Sequence, residues 1–115
     1  MNIVEVKSIL SDLENINDNW DGYGGSKPLE EIIERTNNFV TTKLTTIELD
    51  KLTDIYPNPN GTISLEFEKN KSRRISLEIG INSVCWYFRV EENNVEFNDD
   101  MDINDNKLIN DIKLL

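Results

Sequence analysis

A change in the hydrophobic period divides this chain of 115 residues near Tyr56. Before that residue, apolar side chains recur every three or four positions, which is typical of amphipathic helices. After it they alternate with polar side chains, which is typical of strands with one buried face. Short polar connections separate the alternating segments, and such connections favour antiparallel hairpins. The pattern therefore predicts an α+β fold in which helices cover one face of an antiparallel β-meander.

The first half of the chain predicts two N-terminal helices packed on the sheet. Residues 1–14 place their apolar side chains on one helical face, namely those of Ile3, Val6, Leu10 and Leu13. A second apolar stripe runs over residues 28–43, with Ser26 as the expected N-cap and Pro28 in the first turn. Residues 45–55 fit either a short helical turn or an extended segment. We therefore expect residues 1–55 to form the mainly helical part of a single domain.

The second half predicts a meander of three to four strands over residues 56–98, opened by a turn at residues 56–61. The apolar sets expected to face inward are Ile63, Leu65 and Phe67, then Ile75, Leu77 and Ile79, then Val84, Trp86, Phe88 and Val90. Val95 and Phe97 predict a short fourth strand. Residues 99–115 are expected to form an acidic turn and a short C-terminal helix that begins near Asn104.

Charge and composition restrict the possible chemistry. The chain has 22 acidic and 12 basic residues and a net charge of −10, which argues against direct binding of nucleic acid. It contains no histidine, which excludes nucleophilic systems and zinc sites that use imidazole. The single cysteine, Cys85, is expected to be a passive thiol in a reducing compartment. Without a long apolar run or a signal-like N-terminus, we expect a cytoplasmic protein without membrane contact.

Negative charge is concentrated between residues 91 and 105, where seven acidic residues occur without Lys or Arg. Such a segment repels itself and attracts a cationic partner through long-range steering. The alternative is a solvated turn whose acids favour the start of a helix. We predict that the acidic part of a partner-binding surface consists of Glu91, Glu92, Glu96, Asp99, Asp100 and Asp102.

The most distinctive stretch runs from Trp20 to Gly25 and combines two aromatic residues with three glycines. Glycines permit tight turns around large side chains. In the structural interpretation, Trp20 fills the gap between the helices and the sheet, and Asp21 binds N–H groups of the loop. In the functional one, Trp20, Asp21 and Tyr23 belong to a binding surface.

No residues are predicted to be catalytic or to hold a metal or another cofactor. Glu66 and Glu78 are expected to face outward near Arg74 and Arg89, in cross-strand ion pairs rather than in acid–base catalysis. Residues 100–111 match a calcium loop only in part, because an aspartate stands where the sharp turn needs glycine.

Two segments carry specific motifs. The first is Asn19-Trp20-Asp21-Gly22-Tyr23-Gly24-Gly25 followed by Pro28, and the second is Pro57-x-Pro59-x-Gly61-x-Ile63-x-Leu65-Glu66-Phe67. In combination they resemble a group of small bacterial proteins found near mobile elements or toxin–antitoxin-like genes. The resemblance covers roughly residues 10–80 and implies no functional residue. Gly25 stands where alanine is usual in the group, and Phe67 stands where tryptophan is common.

Together these features predict a small acidic protein-binding module of the antitoxin, immunity or inhibitor kind, which neutralises a basic protein partner and is not an enzyme. One alternative is a DNA mimic that inhibits a nucleic-acid-binding enzyme. Another is an enzyme that uses carboxylates or a divalent metal. Self-association into a homo-oligomer stays open.

Overall fold

The computed structural model describes residues 1–91 and 93–115, and in these residues four helices lie on one side of a five-stranded sheet. The helices are α1 (Ile3–Glu14), α2 (Glu30–Lys43), α3 (Thr46–Lys51) and α4 (Asn106–Lys113). The strands are β1 (Leu52–Pro57), β2 (Ile63–Asn70), β3 (Arg73–Ile79), β4 (Val84–Glu91) and β5 (Asn94–Met101). The predicted α+β class is confirmed, with one strand and one short helix more than expected.

The sheet is an antiparallel meander in which each strand pairs with the next along the chain. The additional strand is β1. It contains the end of segment 45–55, for which the sequence favoured neither a helical turn nor an extended conformation, and the first two residues of the turn predicted at residues 56–61. Its register shifts between Leu52 and Asp54, so Leu52 and Ile55 both face the core although they are three residues apart. The mainly helical part therefore ends at Lys51 and not at residue 55.

Strand β5 is longer than predicted and contains part of the segment expected to be an acidic turn. Asp99 and Asp100 lie inside the strand, which continues to Met101. The register with β4 shifts in this region, and Asp100 has a φ of 51°. An extra residue with a left-handed backbone is typical of a β-bulge. Beyond the strand, Asp105 accepts a hydrogen bond from the Lys107 N–H and caps α4.

The hydrophobic core lies between the helices and one face of the sheet. The three predicted inward sets of β2, β3 and β4 are buried there, except for Val90, which is half-buried. Helix α1 contributes Val6, Leu10 and Leu13, and α2 contributes Ile32, Ile33, Phe39 and Val40. The predicted cap of α2 is wrong: Ser26 lies outside the helix, which begins at Glu30 without a side-chain cap.

The other side of the sheet, here named the open face, carries no helix among the described residues. It presents the alternate side chains of the five strands, among them Tyr56, Glu66, Arg74, Glu78, Cys85, Tyr87, Arg89, Val95, Phe97 and Asp99. Within the described part of the chain, no helix combines the length and apolar character that crossing a bilayer requires.

Candidate functional site

The loop from Trp20 to Gly25 is held together by hydrogen bonds to its own backbone. Asp21 Oδ1 accepts the N–H groups of Tyr23 and Gly25, both at 2.9 Å. Asn19 Oδ1 accepts the Gly24 N–H at 2.7 Å, and the Asn19 N–H donates to the Gly25 carbonyl at 2.7 Å. The donated N–H groups hold the pKa of the Asp21 carboxyl below its usual value. The predicted role of Asp21 in binding loop N–H groups matches these contacts.

The expected role of Trp20 as a filler between the helices and the sheet is wrong. Its side chain is only partly buried and lies outside the core, and its indole Nε1–H donates to the Ser26 carbonyl at 2.8 Å. Tyr23 is 95% exposed at the tip of the loop. Gly22 and Gly24 have φ values of 77° and 81°, which other residues rarely adopt, and these two turns direct the chain around Tyr23. The loop therefore presents one large aromatic side chain on an ordered frame.

This loop lies beside the turn between β1 and β2. The Ser26 N–H donates to the Pro59 carbonyl at 2.8 Å, and Ser26 forms an isolated parallel bridge with Asn60. The same end of the sheet holds the last residues of β5. The row of register partners that starts at the first residue of β2, next to this turn, ends at Met101, the last residue of β5. We name this region the loop end. It contains Trp20, Asp21, Tyr23, Asp99, Asp100 and Asp102.

Three exposed carboxylates collect at the β5 corner of the loop end. Asp99 and Asp100 close the strand, and Asp102 follows in the turn toward α4, where its Oδ1 accepts the Asn104 N–H at 2.8 Å. None of the three forms an ion pair within the described residues. The corner is three strand spacings, about 14 Å, from the turn that supports Tyr23. A single protein surface of ordinary size can cover both features.

The remaining predicted acids do not join this corner. Glu91 ends β4 at the opposite end of the sheet, roughly 25 Å away along the strand. Glu96 is directed toward α4, and its carboxylate lies 2.5 Å from Lys107 Nζ. The Lys107 ammonium lowers the pKa of Glu96. Glu92 lies outside the described residues. The acidic segment that looked continuous in the sequence is thus distributed over two ends and two faces of the sheet.

The two outward carboxylates considered for catalysis are held by neutral donors. Glu66 accepts hydrogen bonds from the Tyr56 hydroxyl, at 2.6 Å, and from Ser76. Glu78 accepts from Thr62 at 2.5 Å and from Asn60 at 3.3 Å. The hydroxyl of Thr62 lowers the pKa of Glu78, against the opposing effect of burial, so this carboxyl is charged at neutral pH. The expected ion pairs with Arg74 and Arg89 are absent from the described residues.

Cys85 lies beside Glu78 on the open face, with its Sγ 3.6 Å from Glu78 Oε1. Burial raises the pKa of the Cys85 thiol to about 11, and the negative charge of Glu78 adds to this rise. A thiol with so high a pKa is a poor nucleophile at neutral pH, because only the thiolate reacts.

Among residues 1–91 and 93–115, no group of three or more Asp, Glu or Cys side chains is arranged to hold a metal ion. The residues that match part of a calcium loop do not converge, because Asp111 is buried against Trp86 while Asp102 is exposed in its turn.

Sequence reasoning missed an aromatic pair on the open face. The rings of Tyr87 and Phe97 stack with their centres 4.5 Å apart, and the side chains are 53% and 50% exposed. Val95 beside them is 46% exposed. The sequence does indicate that the Tyr87 side chain faces outward, because Tyr87 lies between the inward residues Trp86 and Phe88. The outward direction of Phe97 depends on the register between β4 and β5, which the sequence does not specify.

Comparisons with models of protein families, with curated proteins and with solved structures find no match for this chain. The resemblance to the group of small bacterial proteins stays a prediction.

Proposed function

We propose that this chain is a protein-binding module of the antitoxin, immunity or inhibitor kind, which neutralises a basic macromolecular partner by covering part of its surface. The observation that carries the proposal is the exposed, unneutralised negative charge at the loop end, where Asp99, Asp100 and Asp102 lie at one corner of the sheet. Such a corner draws a cationic surface toward it and orients the encounter.

The basic side chains explain why so much negative charge is free. Arg35 donates to the Gly80 carbonyl, and Lys51 donates to the carbonyls of Ile112 and Lys113. Arg73 likewise binds the Leu114 carbonyl. Three cations thus bind backbone oxygens, and within the described residues only Lys107 forms ion pairs with carboxylates. The excess of acids over bases therefore acts outward.

Tyr23 supplies an apolar contact that slows dissociation of the complex, which charge alone does not provide. Tyrosine is enriched among the residues that dominate binding energy, and an ordered loop loses little conformational entropy on binding. The hydrogen bonds from Asp21 and Asn19 provide that order before a partner arrives. In this mechanism the acids set the rate of association and Tyr23 sets the lifetime of the complex.

The acids are not arranged as a DNA mimic requires. They lie on α1 and α2 as well as on both faces of the sheet and in its turns, whereas a mimic needs two rows at the spacing of phosphates. An enzyme needs a cleft that encloses its carboxylates. Among the described residues, three depressions are lined by two carboxylates, namely Glu14 with Glu34, Glu14 with Glu30, and Glu78 with Asp99, and all three are open to solvent. We place the module in the cytoplasm, where its single free thiol stays reduced.

The test is affinity capture from cells that produce the protein, with three versions of the chain as bait. The first is the wild type, and the second replaces Asp99, Asp100 and Asp102 with asparagine. The third is a matched control that removes the same charge elsewhere, by Asp54→Asn, Glu68→Gln and Glu91→Gln. Asparagine tolerates the left-handed backbone of Asp100 and preserves the acceptor at position 102, so the loop-end variant should fold.

We expect wild type and control to retain the same basic protein at about 50 mM salt and to lose most of it at about 500 mM. The loop-end variant should retain at least about tenfold less, and Tyr23→Ser should shorten the lifetime of the complex without slowing its formation. Equal capture by the loop-end variant, or the absence of any basic partner at low salt, would refute the proposal.

A further inference from the structure

We infer that two copies of this chain associate through the open face, around a two-fold axis that runs perpendicular to the strands. The first observation is the apolar cluster of Tyr87, Phe97 and Val95, each roughly half exposed at the centre and β5 side of this face. The outward side of a one-sided sheet is normally polar, and a contiguous aromatic cluster there is typical of an interface.

The second observation is the order of charges on the face. Register partners form three rows across the sheet. The first row, toward the loop end, contains Glu78 and Cys85, and Asp99 continues it on β5. The middle row contains Asp54, Glu66, Ser76, Tyr87 and Phe97. The third row contains Glu68, Arg74, Arg89 and Val95. One outer row is therefore acidic, and the opposite outer row holds both arginines of the face beside a single glutamate.

This order is self-complementary under one rotation. Consider two such faces in contact, with a two-fold axis between them that follows the middle row. Rotation about this axis places each strand over the same strand of the second copy, and it places the first row of one copy over the third row of the other. Glu78 then lies opposite Arg74 of the second copy, since both residues belong to β3. Tyr87 and Phe97 meet their own counterparts. The acids of the middle row, Asp54 and Glu66, do so as well, and this like-charge contact limits the affinity. A two-fold axis parallel to the strands places the acidic row over the acidic row instead, so the charges select the first arrangement.

A second copy fits this face better than the basic partner of the loop end does. Arg74 and Arg89 repel a cationic surface, whereas they match the acidic row of another copy. The area is modest: five strands at about 4.8 Å spacing give an interface on the order of 1,000 Å² in total, near the lower limit for specific association. We therefore expect a reversible dimer with a dissociation constant in the micromolar range. Tyr23, Asp100 and Asp102 of each loop end stay outside the interface, and Asp99 lies at its edge, on the outermost strand.

The test is sedimentation equilibrium at about 150 mM salt, over concentrations from roughly 1 to 500 μM, where the net charge of −10 is screened. The mass should rise with concentration from 13.3 kDa toward twice that value. Phe97→Ser and Tyr87→Ser should each weaken the dimer at least about tenfold. Tyr23→Ser is the matched control, because it removes an exposed aromatic outside the open face, and it should leave the dimer unchanged.

The charge order has its own test. Arg74→Glu and Glu78→Arg should each weaken self-association, because like charges then face each other across the axis. An equimolar mixture of the two variants should associate again, since both pairs between positions 74 and 78 regain opposite signs. Far-UV circular dichroism checks that each variant is folded. If Glu78→Arg is unfolded, the two serine variants alone test the interface.

Three results would overturn the inference. They are a wild type that stays monomeric at the highest concentration, a dimer insensitive to Phe97→Ser, and a mixture of folded charge variants that does not associate. Capture of a basic partner through the loop end is independent of all three results.

Discussion

Single residues in this protein owe their chemistry to which face of a strand they occupy. Trp86 and Cys85 are neighbours in β4, yet the first is fully buried and the second lies on the open face. Burial raises the pKa of the Cys85 thiol there, and the negative charge of the adjacent Glu78 adds to the rise, so little reactive thiolate is present at neutral pH. The side of the sheet, rather than the residue type, therefore decides what each group can do.

The raised pKa of Cys85 predicts a thiol that reacts slowly in the folded protein. The folded protein should react with a thiol reagent at pH 8 at least about tenfold more slowly than the urea-unfolded chain, because little thiolate is present when the pKa is near 11. The rate should rise with pH through that value. Glu78→Gln removes a neighbouring negative charge and should accelerate the reaction. Glu66→Gln lies on the same face without touching Cys85, and it should not; equal acceleration by both variants would contradict the assigned cause.

At the scale of elements, the sequence predicted those parts of the fold whose period is regular. Helices α1 and α2 and strands β2 to β4 follow uninterrupted patterns of three-to-four or two residues, and all five were expected. Strand β1 was not, because its bulge places Leu52 and Ile55 at a helix-like spacing of three. The start of α3 did carry a signal that was overlooked: Thr45 and Glu48 have the spacing of a capping box, and the Thr45 hydroxyl donates to the Glu48 carboxylate.

The candidate site was less predictable than the fold, for a physical reason. The acidic residues of β5 are close in sequence, but a strand separates neighbouring side chains onto two faces and carries its ends far apart. Glu96 therefore reaches α4 while Asp99 reaches the open face. Sequence proximity indicates a shared surface in a turn or a helix face, and it fails in an extended strand.

Helix α4 is attached to the sheet by a buried polar contact, which gives the prediction at this scale. Asp111 accepts a hydrogen bond from the indole of Trp86 at 2.9 Å, and Lys107 lies 3.2 Å from the same oxygen. Asp111→Ala should lower the free energy of unfolding by about 1–3 kcal/mol, since it leaves a fully buried indole N–H without an acceptor. Asp111→Asn retains an acceptor and should cost less. Urea unfolding measures both.

A double-mutant cycle separates this hydrogen bond from simple packing. In the background of Trp86→Phe, which has no N–H to satisfy, Asp111→Ala should cost clearly less than it does in the wild type. If the two costs are equal, the contact between α4 and β4 is one of shape alone, and the assigned role of Asp111 is wrong.

At the scale of the whole molecule, uncompensated charge should make the fold more stable when salt is added. The molecule measures 37 × 28 × 25 Å, so its acids repel one another across its full width at about 10 mM salt, where screening extends roughly 30 Å. At about 300 mM the screening length is several-fold shorter than the molecule. The opposing loss is small, because within the described residues only Lys107 forms ion pairs. Its pair with the exposed Glu96 contributes about 0–1 kcal/mol, and its pair with the buried Asp111 is screened little by salt.

We therefore expect the free energy of unfolding at pH 7 to rise by about 1 kcal/mol between these two salt concentrations. Urea unfolding at about 0.05 μM protein, well below the expected dissociation constant of the dimer, measures this on the monomer. The variant that neutralises Asp99, Asp100 and Asp102 should gain less from salt, because part of its repulsion is already gone. Stability that falls with salt would mean that attraction dominates the surface. In that case the negative charge would be satisfied internally, and the loop end would have no free charge with which to attract a basic partner.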